Sequence, residues 1–191
     1  MLIENDIEIE APVDQVWKYM LDVPRMAPCI PGAEITEELG DNKYKGRVTT
    51  KMGPVSLRFA GDAEIVEQDE RAKRIVMKAS GSEEKGKGEA NMTMTSTLQS
   101  SGTKTRIKVS QDLDISGAAA QYGRGMIQDV TATLMKSFAR CLQEDVGRAS
   151  RGEERSPQSA AAPMRGFSIG LQATLTALKR FFRRFFGGGG R

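Results

Sequence analysis

The chain contains no histidine. That removes the commonest general base, the usual nitrogen ligand of zinc and every Ser-His or Cys-His pair. Cysteine is nearly as scarce. Cys29 and Cys141 are the whole complement, match no metal or redox spacing, and are expected as free thiols of a cytoplasmic protein. No apolar run approaches the ~18 residues that cross a bilayer, and the first residues carry no signal-peptide pattern. Nucleophile elbow, P-loop, dinucleotide fingerprint and metal cluster are all missing. Gly86-Lys87-Gly88 has no helix after it to cradle a phosphate, so it reads as a hairpin turn. The acid pairs Glu37-Glu38 and Glu83-Glu84 read as solvated charge in exposed turns. No residue is expected to be catalytic and no metal is expected.

What is present is unevenly placed. The formal charge of +3 divides sharply at Arg148: from that residue onward there are nine Lys/Arg against two acids, a balance of +7, which leaves −4 for the rest. Five of the seven phenylalanines also lie beyond that point. An acidic domain joined to a basic, aromatic tail is the organisation implied.

The domain opens with Ile3, Ile7 and Ile9 alternating against Glu4, Asp6, Glu8 and Glu10, the period of a strand with one buried face. Pro12 sits at an expected first helical turn, and Val13, Val16, Trp17, Met20 and Leu21 follow at helical spacing until Asp22 and Pro24. Residues 26–32 read as a short turn or helix and then a loop. Six alternating runs come next, roughly 34–39, 43–52, 55–67, 74–81, 88–98 and 105–115, with turn residues between them. Short turns make the sheet antiparallel. A helix from about 117 to 147 carries the apolar stripe Tyr122, Met126, Ile127, Val130, Leu134, Phe138, Cys141 and Leu142. The fold class is α+β: a curved antiparallel sheet of about seven strands around a long C-terminal helix.

This order resembles the helix-grip fold of the START and polyketide-cyclase-like superfamily. Three stretches resemble the CoxG family of carbon monoxide dehydrogenase subunits within it: Ala11-Pro-Val-Asp-Gln-Val-Trp17, Ile30-Pro-Gly-Ala-Glu34, and Tyr44-Lys-Gly-Arg-Val48 continued by Lys51-Met-Gly-Pro-Val55. The resemblance covers about residues 2 to 147. It implies a cavity for an apolar ligand between sheet and long helix. Its lining is expected from the inward positions Trp17, Met20, Met26, Ile30, Met52, Leu57, Phe59, Met77, Met92 and Met94, with Tyr122, Met126, Ile127 and Val130 on the helix side. Methionine is flexible and polarizable and suits irregular ligands, although methionines at such spacing are also ordinary core. Gln111 is the expected polar contact in the cavity, and Asn5 has the same standing in the first strand.

Beyond the domain, residues 148–163 are rich in Ser, Ala, Gly, Arg and Pro and read as a flexible linker. Residues 164–186 then place Phe167, Leu171, Leu175, Leu178, Phe182 and Phe185 on one helical face, with Phe181 and Phe186 at its edges. Lys179, Arg180, Arg183 and Arg184 fall on the other face, and residues 187–191 form a glycine-rich end. A basic face opposite a Phe/Leu face is the pattern of a helix lying in the membrane interface, attracted to anionic lipids. Docking on its own domain or in a partner groove is the competing reading; nucleic acid would waste eight large apolar groups.

Together these parts describe a membrane-associated carrier on the cytoplasmic face of the cell membrane. The resemblance implies as partner an aerobic molybdenum-containing carbon monoxide dehydrogenase or related hydroxylase, whose electrons need a route to the respiratory chain. An isoprenoid quinone, menaquinone or ubiquinone, is the expected ligand, and no covalent cofactor is expected. The alternatives are a recruitment factor that binds no ligand and a cyclase or hydrolase of the same fold.

Overall fold

The computed structural model describes residues 1–52 and 55–153. The expected tail helix 164–186, its glycine end 187–191 and the linker from 154 onward lie outside the described residues, as does the Met52 side chain. The described residues belong to one compact unit, Met1–Ala161.

Strand β1 (Leu2–Ile9) is followed by helices α1 (Val13–Leu21) and α2 (Val23–Met26) and a 3-10 turn, Ala27–Cys29. Six strands come next: β2 (Ala33–Gly40), β3 (Lys43–Met52), β4 (Val55–Asp69), β5 (Arg74–Glu83), β6 (Glu89–Ser101) and β7 (Lys104–Ile115). A second 3-10 turn, Ala119–Tyr122, leads into the long helix α3 (Gly123–Ser150). All seven strands form one antiparallel sheet in the order β1-β7-β6-β5-β4-β3-β2. The expected fold class is therefore the observed one. The expected single helix from 117 is divided at Gly123, whose φ of 73° ends the 3-10 turn before α3 begins. At the other end α3 runs through Ser150, so residues 148–150 are helix and not linker.

Local chemistry explains the joints. Pro12 has extended backbone and stands just before α1, not within its first turn; its carbonyl accepts from the Gln15 and Val16 amides. Asp22 closes α1 and opens α2: its N–H donates to the Tyr19 carbonyl, and its carboxylate accepts from the Arg25 amide. Side chains alternate along each strand as the sequence implies. One concave row crosses five strands in register, Ile65, Met77, Met94, Gln111 and Ile3.

The opposite face is charged and paired. Lys104 donates to Glu8 at 2.9 Å and lies 2.6 Å from Glu10, which together hold its ammonium well above the ordinary lysine range. Arg106 pairs with Asp6 at 2.8 Å. The acid pairs are corrected here. Glu37 and Glu38 lie in β2, and Glu37 accepts from Lys45 across the ladder at 2.9 Å. Glu84 accepts from Arg47 at 2.9 Å.

Candidate functional site

Apolar side chains of the concave face gather into two clusters. The larger surrounds α1, α2 and the C-terminal half of α3, and includes Ile9, Val16, Trp17, Met20, Met26, Ile65, Ile75, Ile107, Phe138 and Leu142. The smaller lies at the other end of the strands, with Ile3, Leu57, Ala119 and Ile127, flanked by Phe59, Leu113, Tyr122 and Val130.

Between them runs a band that belongs to neither. It crosses the register obliquely: Gly61, Gly81 and Ala90 form one row, Ala63, Ala79 and Met92 the next, Gln111 lies one row further on β7, and Asn5 a row beyond that on β1, beside Val109. Most of these side chains are a methyl or less, so the band is a groove by composition. Gly46, Gly61 and Gly81 are register partners across β3, β4 and β5. A methyl at Gly61 would stand 1.9 Å from the Ser80 carbonyl oxygen, so the strands meet there more closely than any other residue permits. Helix α3 packs chiefly along β1 at the far side of the sheet, with further contacts to α1 and both 3-10 turns.

The two amides are the polar groups of this groove. Gln111 is 7% exposed, and its Nε2 approaches Met94 Sδ at 3.9 Å. Asn5 Nδ2 is buried and has no hydrogen-bond partner, the one such side-chain atom among the described residues. An orphaned donor of this kind costs ~1–3 kcal/mol unless something accepts from it. Tyr44 stands at the rim in the row of Ala63, Ala79 and Met92. Burial first, then Glu38 and Asp22, pushes its hydroxyl above the ordinary tyrosine range.

The expected site residues therefore separate. Met92 lies in the groove, and Met77 and Met94 are one position along the same face. Leu57, Phe59, Tyr122, Ile127 and Val130 form one wall. Trp17, Met20, Met26 and Ile30 are packed within or against the larger cluster on the other side. Met126 is a correction: it is 39% exposed, and its neighbour Ile127 takes the inward position in that turn. Val48, also concave by register, is 40% exposed, so apolar surface reaches solvent at the β3 end of the sheet.

A further trough of about 400 Å³ is lined by Asp62, Ala63, Glu64, Lys78, Ala79, Ser80, Asn91, Met92 and Thr93. Strand alternation turns the charged and hydroxyl or amide residues of this set outward. It shares Ala63, Ala79 and Met92 with the groove and takes its other six residues from the sheet's outer face.

The cysteines also depart from expectation. Cys29 and Cys141 are not free thiols: a disulfide joins them, with Cα atoms 5.3 Å apart. The cause is tertiary, since α3 passes over the Ala27–Cys29 turn. With Asp145 these sulfurs form a group whose donor atoms lie within 4.8 Å of one another. As a disulfide they are not thiolate ligands. Sequence reasoning missed Tyr19 and Asp145 beside them. The signal available was Asp145 itself, an acid three residues after Leu142 on the apolar stripe of α3.

Comparison with known proteins places this geometry. Solved structures with the same fold include a conserved protein from Geobacillus kaustophilus, with TM-score 0.70 and 19% identity over 78% of this chain and 97% of that one. The Zhui aromatase/cyclase from Streptomyces matches with TM-score 0.56 and 16% identity, over 79% of this chain and 96% of that one. A START superfamily protein from Mycobacterium smegmatis matches with TM-score 0.52 and 14% identity, over 78% and 98%. No curated protein matches by sequence. The family model for CoxG, a carbon monoxide dehydrogenase subunit, matches residues 6–147, and the chain belongs to that family.

Proposed function

We propose that this protein is a carrier for a hydrophobic molecule, a respiratory isoprenoid quinone, and that it links an aerobic molybdenum-containing carbon monoxide dehydrogenase to the membrane electron-transport chain. The observation that carries this reading is the groove between the two apolar clusters. It combines glycine and alanine floors, methionine sides and two buried amides, one with an unpaired donor. An isoprenoid tail matches the apolar part, and a quinone carbonyl is an acceptor for Asn5 Nδ2. The family supplies the partner enzyme, and the enzyme's need to pass on electrons supplies the reason for a quinone.

Chemistry within the groove favours carriage over catalysis. Asn5 and Gln111 are neutral amides that neither release nor take up a proton at neutral pH, and the chain has no histidine to do so. The basic and aromatic residues from Phe167 to Phe186 supply the membrane-interface element in this reading, with Phe182 and Phe185 inserting and Arg183 and Arg184 meeting anionic headgroups. Full-length protein mixed with anionic vesicles containing menaquinone should float with them and leave carrying quinone when salt releases it. Flotation unchanged by Phe182→Asp with Phe185→Asp would remove the membrane element. Release without quinone would remove the carrier.

A further inference from the structure

The larger cluster holds a polar knot that the carrier reading does not use. Where the Ala27–Cys29 turn meets α3, the Cys29–Cys141 disulfide is flanked by Tyr19 from α1 and Asp145 from α3. The Tyr19 hydroxyl donates to Asp145 Oδ2 at 2.7 Å and lies 3.3 Å from Cys29 Sγ. Asp145 is buried, yet its other oxygen is 3.7 Å from an Arg148 nitrogen, and Arg148 reaches the surface. A buried carboxylate is costly to keep unless it is paired. Its place beside a disulfide asks for an account.

We propose that Cys29–Cys141 is a thiol-exchange site, in which a small thiol attacks Cys141 Sγ and expels Cys29 as the leaving thiolate toward the Tyr19 hydroxyl. The two sulfurs differ in access: Cys29 is 2% exposed, whereas Cys141 is only half-buried. Exchange goes through the sulfur that the attacking thiolate can reach, and it is faster when the departing thiolate is stabilised. In the first step a bond forms between the reductant sulfur and Cys141 Sγ as the Cys29–Cys141 bond breaks. The Tyr19 hydroxyl turns its hydrogen to the Cys29 thiolate. That thiolate then takes up the proton lost by the reductant, which completes a Cys29 thiol. In the second step another thiolate attacks the reductant sulfur, leaving as its own disulfide and releasing Cys141, which takes the second proton. Two thiols are oxidised to one disulfide, and the protein gains two electrons and two protons.

The surroundings satisfy the reduced state as well as the oxidised one. A Cys29 thiol would find Tyr19 Oη at 3.3 Å and Asp145 Oδ2 at 3.9 Å as acceptors. Reduction therefore leaves the buried Cys29 thiol paired, and it severs the covalent tie between the Ala27–Cys29 turn and α3.

The test uses the full chain with reduced glutathione under native conditions, acid quenching and peptide mass spectrometry. Glutathione should appear on Cys141 at least tenfold more than on Cys29. In a glutathione redox buffer, Tyr19→Phe should shift the balance toward the disulfide by about tenfold, or about 30 mV, because the reduced Cys29 thiol loses its nearest hydrogen-bond partner. A protein that is reduced only after urea unfolds it would overturn the proposal, as would glutathione found equally on both sulfurs of the folded chain. An unchanged potential in folded Tyr19→Phe would remove the tyrosine from the mechanism. Should Tyr19→Phe not fold, the adduct position in the native chain decides alone.

Discussion

The two ends of the concave face are built differently from the band between them. Around α1 and the second half of α3, large side chains fill the space: Ile9, Ile107 and Leu142 are fully buried and Phe138 and Trp17 nearly so. Strands β4 and β5 bring Ile65 and Ile75 to that cluster, and a few residues along the same strands, Gly61, Ala63, Ala79 and Gly81 take their place, while α3 packs chiefly along β1. One strand thus carries packed side chains at one end and small ones in its middle, which is where the proposed ligand would sit. The change of side-chain size along β4 and β5, with no change of fold, separates a core from a groove.

That contrast can be broken most forcefully at Leu142. Leu142→Ala should cost about 4 kcal/mol in urea unfolding, because a full side chain leaves a packed site. Met92→Ala in the groove should cost about 1 kcal/mol while lowering quinone uptake. Equal losses at the two positions would mean that the groove is ordinary core. Next in size, Gly61→Ala should destabilise by about 2 kcal/mol, since its methyl meets the Ser80 carbonyl and the strands must part. A smaller effect of opposite sign is expected at Asn5. Asn5→Leu removes the orphaned amide and should stabilise the ligand-free protein by about 1 kcal/mol, while weakening quinone binding.

The smallest effect lies outside the groove, where Asp14 accepts from Lys73 at 2.7 Å and Lys73 stands 5.2 Å from the Trp17 ring centroid. The hydrogen bond from Lys73, then its charge, lowers the Asp14 pKa below its ordinary value. The contribution to stability is therefore present above the ordinary aspartate value and is lost as pH falls through the lowered one. Asp14→Asn should flatten a shallow acid-side slope in stability and leave neutral-pH ligand uptake unchanged; a change in uptake would tie the outer pair to the groove.

Strand existence, order and face were largely readable from period-2 alternation, as Lys43–Met52 and the Thr105–Ile115 run illustrate. Gln111 and Asn5 were readable for the same reason, since alternation alone turns them inward. The interior glycines of β3, β4 and β5 were visible but not put in register, because pairing is a property of three strands at once. The register shift between Ile65 and Glu67 lay beyond a pattern of strict alternation. Cys29 and Cys141 looked isolated for a similar reason: only the path of α3 brings residues 112 apart together. Met126 shows the converse limit. Helical spacing places it on the stripe, but the stripe there ends at the rim, where no described residue covers it fully.

Purification of the full chain, organic extraction and mass spectrometry, repeated with Met92→Trp, test the central claim most directly. The account predicts near-stoichiometric isoprenoid quinone from the native protein and little from the variant, with unfolding curves that nearly superimpose. No quinone from the native protein, or equal amounts from both, would contradict it.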